Sequence, residues 1–333
     1  MQAKRLDDIS ILRVCCILVV VLFHCYGMMY AEAHFPETVS VYKQWYFTLN
    51  QCVFINSAMP MFVFISGYLF EYLLQKGKYP NMGNLLQKKG VRILLPYFVF
   101  GLFFMATTDN WHPLQLFNGG YWHLWFLPML FWCFIAGYGV YRMKLKTYVE
   151  LIFLFICFIG TFIPKFIPMW LGSHNITRWF YWFYLGMLVC KYKNVLYLYI
   201  SRYKFYLYLL VFYGVITYLH PVEYGDEKWY SNLAVTGCLI SIVYLMDKID
   251  WGKVKVTNPL VKFSAYSFGI YIWHNWVALM LISKTSQRLF ELPELAANYI
   301  VLFPLCFSLI TLAISWFLSW GMMKTRIGRF LIG

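Results

Sequence analysis

Along the 333 residues, apolar positions gather into long runs instead of alternating or forming one-sided stripes, and such runs read as bilayer spans. The first four are Val14–Tyr30, Val53–Leu74, Ile93–Thr107 and Leu124–Tyr141. Tyr148–Pro164, Trp179–Cys190, Phe205–Leu219, Tyr230–Met246, Phe268–Ile282 and Tyr299–Trp320 complete the set. A span needs roughly 20 residues, so the shorter runs must extend into their flanks or be broken helices. The pattern predicts an all-α, polytopic transmembrane bundle of about ten helices. Between the runs, the longest polar stretches are Ala31–Gln51, Gln75–Val91 and Asp247–Lys262, each too short to bury a core of its own. The expected organisation is a single integral membrane domain over residues 1–333. The first run follows a mixed-charge head (Lys4, Arg5, Asp7, Asp8) and is not followed by a small-x-small cleavage site, so it is expected to stay as a permanent helix.

Composition agrees: 61% of residues are hydrophobic and 13% charged, whereas soluble domains carry roughly 25% charged residues. The net charge of +14 suggests a nucleic-acid partner until its distribution is read. With ten spans, 22 of the 28 Lys and Arg residues fall on one side, and only Lys43, Lys165, Arg178, Lys228, Lys284 and Arg288 on the other. That asymmetry is the positive-inside bias; it predicts cytoplasmic termini and removes the case for nucleic acid. The nine cysteines lie in or beside apolar runs with no CxxC pair, so neither zinc nor a disulfide framework is predicted. Aromatic residues make up 22% of the chain, and many flank the spans as interfacial belts do.

With no soluble domain, chemistry must be sought among polar residues inside the spans, which are costly in hydrocarbon unless they face a cavity. Arg13 and His24 are eleven positions apart on the first helix, 20° beyond three full turns at about 100° per residue, so they share a face. Their axial separation is on the order of 16 Å. Arg13 then sits near the cytoplasmic mouth, and His24 lies past the midplane. Two readings stand on these residues alone: an aligned functional stripe, or a snorkelling arginine and a hydrogen-bonded bundle histidine. Ser267, Tyr271 and His274 lie at i, i+4 and i+7 on the ninth helix, with Asn275 adjacent, and His274 is expected at a depth like that of His24. His24, His34, His112, His123, His174, His220 and His274 are all expected in or beyond the outer half of the membrane. None has a His-x-x-x-His or carboxylate spacing that supports a metal. On the inner side, Lys89 and Arg92 are three apart at a helical entry, suited to a polyanion such as a nucleotide phosphate or to ordinary membrane anchoring.

The same residues resemble the membrane-bound acyltransferase-3 family. Arg13 to His24 matches its arginine, ten residues, then histidine. Phe64-Ile65-Ser66-Gly67-Tyr68 looks like its Ser-Gly-aromatic turn, and Lys89-Gly90-Val91-Arg92 ahead of Pro96-Tyr97 looks like its basic-x-x-Arg motif. Trp122-His123-Leu124-Trp125, Tyr184-Leu185-Gly186 and Ser267 to His274 follow in the family's order. Two positions depart from it. Ser10 stands where an acidic or amide residue is frequent, and Lys89 replaces an arginine, keeping the charge without the planar fork.

The resemblance implies a stand-alone O-acyltransferase of the bacterial cell membrane. It would move an acyl group, acetyl or succinyl, from cytoplasmic acyl-CoA to a hydroxyl of a lipid-linked or cell-surface glycan. Acyl-CoA is then a donor substrate, and no permanently bound cofactor is expected. His24 is the expected general base or nucleophile, with His274 and Tyr271 supporting it. Arg13, Lys89, Arg92, Ser66 and Tyr68 would belong to the donor side, and Trp122, His123 and Trp125 to the acceptor. The partners are acyl-CoA, the glycan and the bilayer; self-association is left open. The rival expectation is a transporter or exporter of a glycan or small metabolite, which would also suit intramembrane Arg and His.

Overall fold

The computed structural model describes residues 6–32, 52–108, 110–118, 120–163, 169–222, 228–289 and 302–333. Lys4, Arg5, His34, Lys43 and Lys165, which entered the charge and histidine patterns, lie outside the described residues. So do Ala33–Gln51 of the first long polar stretch and Tyr299–Val301 of the last apolar run.

Among the described residues the secondary structure is helical, apart from one isolated bridge between Asn118 and Trp170. In chain order the helices are α1 (Asp7–Glu32), α2 (Asn56–Gln75), α3 (Met82–Lys89), α4 (Leu95–Thr107) and α5 (Phe126–Met143). Then come α6 (Thr147–Gly160), α7 (Ile176–Lys191), α8 (Lys193–Arg202), α9 (Phe205–Leu219) and α10 (Trp229–Lys248). The last are α11 (Thr257–Ser264), α12 (Ser267–Leu289), α13 (Leu302–Lys324) and α14 (Arg326–Ile332). Where it is described, each predicted apolar run falls mainly on a helix. Among the described residues, 6 helical stretches are long and apolar enough to cross a membrane unaided, and a seventh is if α8 and α9 form one broken span. α6 and Ser267–Ile282 of α12 are apolar but shorter.

The chain divides into two compact units. One comprises residues 1–59, 209–226 and 233–333, where α1 packs on α11, α12 and α13. The face α13 buries is small and hydroxylic: Ser308, Thr311, Ser315 and Ser319, spaced three and four apart. Ser308, Ser315 and Ser319 donate to the carbonyls four residues back at 2.6–2.7 Å. Their polarity is thereby satisfied within the helix, and their small size lets neighbouring helices approach.

The other unit comprises residues 60–208 and 227–232, with α7 packed between α5 and α6. Here α2 and α7 touch through glycine. A side chain on Gly67 would run into the backbone of Phe183, and one on Gly186 into the backbone of Phe64. Both clashes are with main chain, which cannot swing aside as a side chain does. Gly67→Ala is therefore expected to destabilise by about 3 kcal/mol, the upper part of the overpacking range, measured as loss of melting temperature in detergent. Full retention of melting temperature would show that the two helices are not held this closely.

Candidate functional site

In the first unit the helices α1 and α12 bring two histidines together. His274 Nε2 lies 3.3 Å from His24 Nδ1, and the ring centroids are 4.9 Å apart in an edge-on arrangement. His274 is fully buried and His24 half-buried. Each ring is also tied to its own helix. His24 Nδ1 is 2.9 Å from the carbonyl of Val20, and His274 Nδ1 is 2.7 Å from that of Tyr271 and 3.2 Å from that of Ile270.

These contacts specify where the protons are, because a carbonyl oxygen can only accept. Nδ1 of His274 must carry hydrogen to donate to Tyr271, so in the neutral ring Nε2 holds the lone pair. Nδ1 of His24 must carry hydrogen to donate to Val20, and it also points at that lone pair. In neutral His24 the basic atom is consequently Nε2, the nitrogen directed away from the protonated Nδ1. His274 stands behind His24 as an acceptor, able to support positive charge when His24 takes up a second proton.

The other residues singled out in the sequence are placed as follows. Tyr271 is buried, its ring centroid 6.0 Å from that of His274, and it touches His274 through its carbonyl. Arg13 is half-buried on α1, eleven positions before His24.

In the second unit Lys89 and Arg92 part company. Gly90–Leu94 between α3 and α4 is a π-helical turn, wider than an α-turn, so residues three apart do not project as they would on an α-helix. The Lys89 ammonium sits 3.5 Å above the Phe134 ring, with Tyr79 and Phe70 at 5.6 and 5.9 Å, whereas Arg92 is exposed. Aromatic faces hold a cation by their quadrupole, which gives the lysine charge a desolvated seat and leaves the guanidinium accessible. Ser66 donates to the carbonyl of Phe62 at 2.9 Å, and Tyr68 is buried.

Toward the opposite end of this unit, Trp122 has a left-handed backbone (φ 43°) and stacks on Tyr121, centroids 4.8 Å apart. Trp125 lies 5.5 Å from the Trp179 ring, and both Trp122 and Trp125 keep part of their surface open. His123 is turned inward and buried. No group of three or more His, Cys, Asp or Glu able to hold a metal occurs among the described residues.

One cluster escaped the sequence reading: Glu71 near the end of α2, Glu150 on α6, and Tyr184 and Lys191 on α7, all lining one cavity. A lone carboxylate inside the apolar run Val53–Leu74 was the available signal.

Helices long and apolar enough to cross a bilayer, together with a buried histidine pair inside one helical unit, define a multi-pass integral membrane protein. A family model described as an acyltransferase domain matches residues 6–320, and the chain belongs to this family, acyltransferase-3. Curated relatives include the probable poly-beta-1,6-N-acetyl-D-glucosamine export proteins of Staphylococcus aureus strains MRSA252 and MSSA476. Each is 22% identical over 313 residues, covering 86% of this chain and 86% of the relative. No solved structure matches.

Proposed function

We propose that the protein transfers an acyl group, acetyl in the first instance, from cytoplasmic acyl-CoA to a glycan hydroxyl on the other side of the membrane. In this reading the chain is one domain of ten spans with both ends cytoplasmic. The observation that carries it is the His24–His274 pair, inside a chain whose family is one of acyltransferases. Neutral His24 would accept the hydroxyl proton at Nε2 as the hydroxyl oxygen bonds to the thioester carbonyl. The C–S bond then breaks, and the imidazolium returns its proton to the departing CoA thiolate. In the acylated-histidine route Nε2 itself attacks the thioester, and radiolabel from the donor would remain on the protein when no acceptor is present.

The donor's anionic nucleotide end suits Arg92 and Lys89, with Arg13, Ser66 and Tyr68 as further donor-side residues, and its thin pantetheine arm would carry the thioester inward. Exposed Arg92 is the better first contact. Arg92→Gln is expected to raise the apparent KM for acyl-CoA about 10- to 100-fold, from loss of a charged hydrogen bond worth about 1.5–3 kcal/mol. Lys89→Gln should raise it less, since its ammonium must first leave the aromatic seat. An unchanged KM in Arg92→Gln removes that residue from the donor site. Trp122 and Trp125, with partly open aromatic faces, suit stacking of an acceptor sugar, and His123 lies inward between them.

A second reading, glycan export, is favoured by the names of the Staphylococcus aureus relatives, which also supply poly-β-1,6-N-acetylglucosamine as the first acceptor to try. Purified protein incubated with labelled acetyl-CoA and a membrane glycan fraction separates the two. Glycan-dependent CoA release supports transfer. Absence of release with every glycan tried, alongside flux into liposomes, supports export.

A further inference from the structure

The segment that follows α13 carries a surface that acyl transfer does not use. Pro304–Lys324 of α13 is long and apolar enough to cross a bilayer, and near its end Trp316, Phe317 and Trp320 are exposed. Lys324 Nζ lies 4.6 Å above the Trp320 ring, so the span ends in aromatic residues and a lysine, as spans do at a membrane interface. Thr325 then turns the chain. Its N–H donates to the Met322 carbonyl at 2.9 Å, and its hydroxyl accepts from the Gly328 N–H at 2.9 Å, which caps α14. Gly328 lets α14 fold back on the last turn of α13, since a Cβ there would run into the backbone of Met322. α14 therefore starts at the depth where hydrocarbon gives way to head groups.

This short helix has three faces. At about 100° per residue Gly328 and Ile332 point the same way to within about 40°. Both are buried, and Ile332 packs beside Gly269 near the start of α12. About 120° round the axis, Phe330, Ile327 and Leu331 form an apolar strip. It is open: Ile327 is 73% exposed and Phe330 55%. Arg326 and Arg329 take the remaining third, and both are exposed. Arg329 Nε donates to the Thr325 carbonyl at 3.4 Å. Among the described residues neither arginine nor Lys324 forms an ion pair, and residues 295–333 contain no Asp or Glu.

The three faces suit three surroundings. One is taken up by α12 and α13. An apolar strip beside the end of a span is placed to lie against acyl chains, whereas the arginines, a third of a turn away, reach the phosphate level. A basic face with no acidic residue near it in the chain favours head groups of net negative charge over zwitterionic ones.

We infer that α14 is an interfacial helix whose partner is anionic phospholipid at the bilayer surface. Lys324, Arg326 and Arg329 hold the head groups, and Ile327 and Phe330 seat the helix among the acyl chains. This surface is independent of the acyl-transfer reading and needs no turnover to be observed.

The test places the full-length protein in vesicles of phosphatidylcholine alone, or of phosphatidylcholine and phosphatidylglycerol in equal amounts with matched acyl chains. Amide hydrogen exchange is then read on peptides covering residues 325–332. Wild type is expected to exchange at least about fivefold more slowly in the anionic vesicles, the worth of one basic residue at a charged surface. Changing Lys324, Arg326 and Arg329 together to Gln should make exchange alike in the two lipids. Raised salt should do the same to wild type by screening exposed charge, and it needs no variant to fold. Ile327→Ser with Phe330→Ser should speed exchange in both lipids. Equal exchange of wild type in the two vesicles would overturn the anionic partner, as would a lipid difference that persists in the folded triple variant. Protection that grows with the protein-to-lipid ratio at fixed lipid composition would give the face to a second copy of the chain and overturn the lipid.

Discussion

Replacing His24 by alanine is expected to lower the rate of acyl transfer by about 10²- to 10⁴-fold, the usual worth of a positioned general base. The measurement is glycan-dependent CoA release at saturating acyl-CoA, with melting temperature taken on the same preparation. Several features lead to this expectation. The ring is tethered through Nδ1 to Val20 at 2.9 Å, so its orientation is set by its own helix and not by substrate. That tether forces the proton onto Nδ1 and leaves Nε2 as the basic atom. The acceptor hydroxyl must surrender a proton at some point along the attack, and a neutral imidazole at fixed orientation is suited to receive it. Because α1 buries Val20, Val21 and Cys25 around the histidine, truncation to alanine leaves the rest of that helical packing in place. A variant that melts as wild type does and still transfers at the wild-type rate would end His24's candidacy.

The second large effect is expected at His274. In the proposed mechanism its lone pair at Nε2, 3.3 Å from His24 Nδ1, would stabilise the His24 imidazolium during transfer. Removing it by His274→Ala should reduce kcat by about 10- to 100-fold, the cost typical of losing an orienting partner behind a functional histidine. KM for both substrates should stay near wild type, because a fully buried ring behind His24 orients the base without holding substrate. His274→Gln offers an amide oxygen close to the position of Nε2 and should recover part of the loss. His274→Leu, similar in bulk but unable to accept, should not. A purely structural role would make the leucine and glutamine variants alike in kcat, or would lower melting temperature in proportion to activity. Either result would remove His274 from the proton path.

The apolar runs and the spacing of Arg13 and His24 were legible because both are one-dimensional. A bilayer demands long apolar segments with internally satisfied backbone, and a helix repeats its faces with a known period. The family motifs were legible too, and the family match covers the same stretch of chain. Spacing alone, however, suggested that Lys89 and Arg92 share a face, and this failed where an α-turn gave way to a π-turn. The local mark of that widening is Pro96, which offers no N–H to the Arg92 carbonyl and crowds it, a signal that spacing alone ignores.

Sequence by itself determined that this is a helical, multi-pass membrane protein, which helices carry polar residues, and that His24 and His274 each face a definite side of their own helix. Only the tertiary structure decided that those two faces meet, 250 positions apart, and that carbonyls on both helices dictate which nitrogen of each ring holds hydrogen. It likewise decided that Gly67 and Gly186 serve a single backbone crossing, and that Lys191 makes its direct ion pair with Glu150. The physical reason is common to all of these. Hydropathy and periodicity describe what a segment exposes around its axis, whereas a hydrogen bond, an ion pair or a close crossing depends on the distance between segments, and packing alone sets that distance.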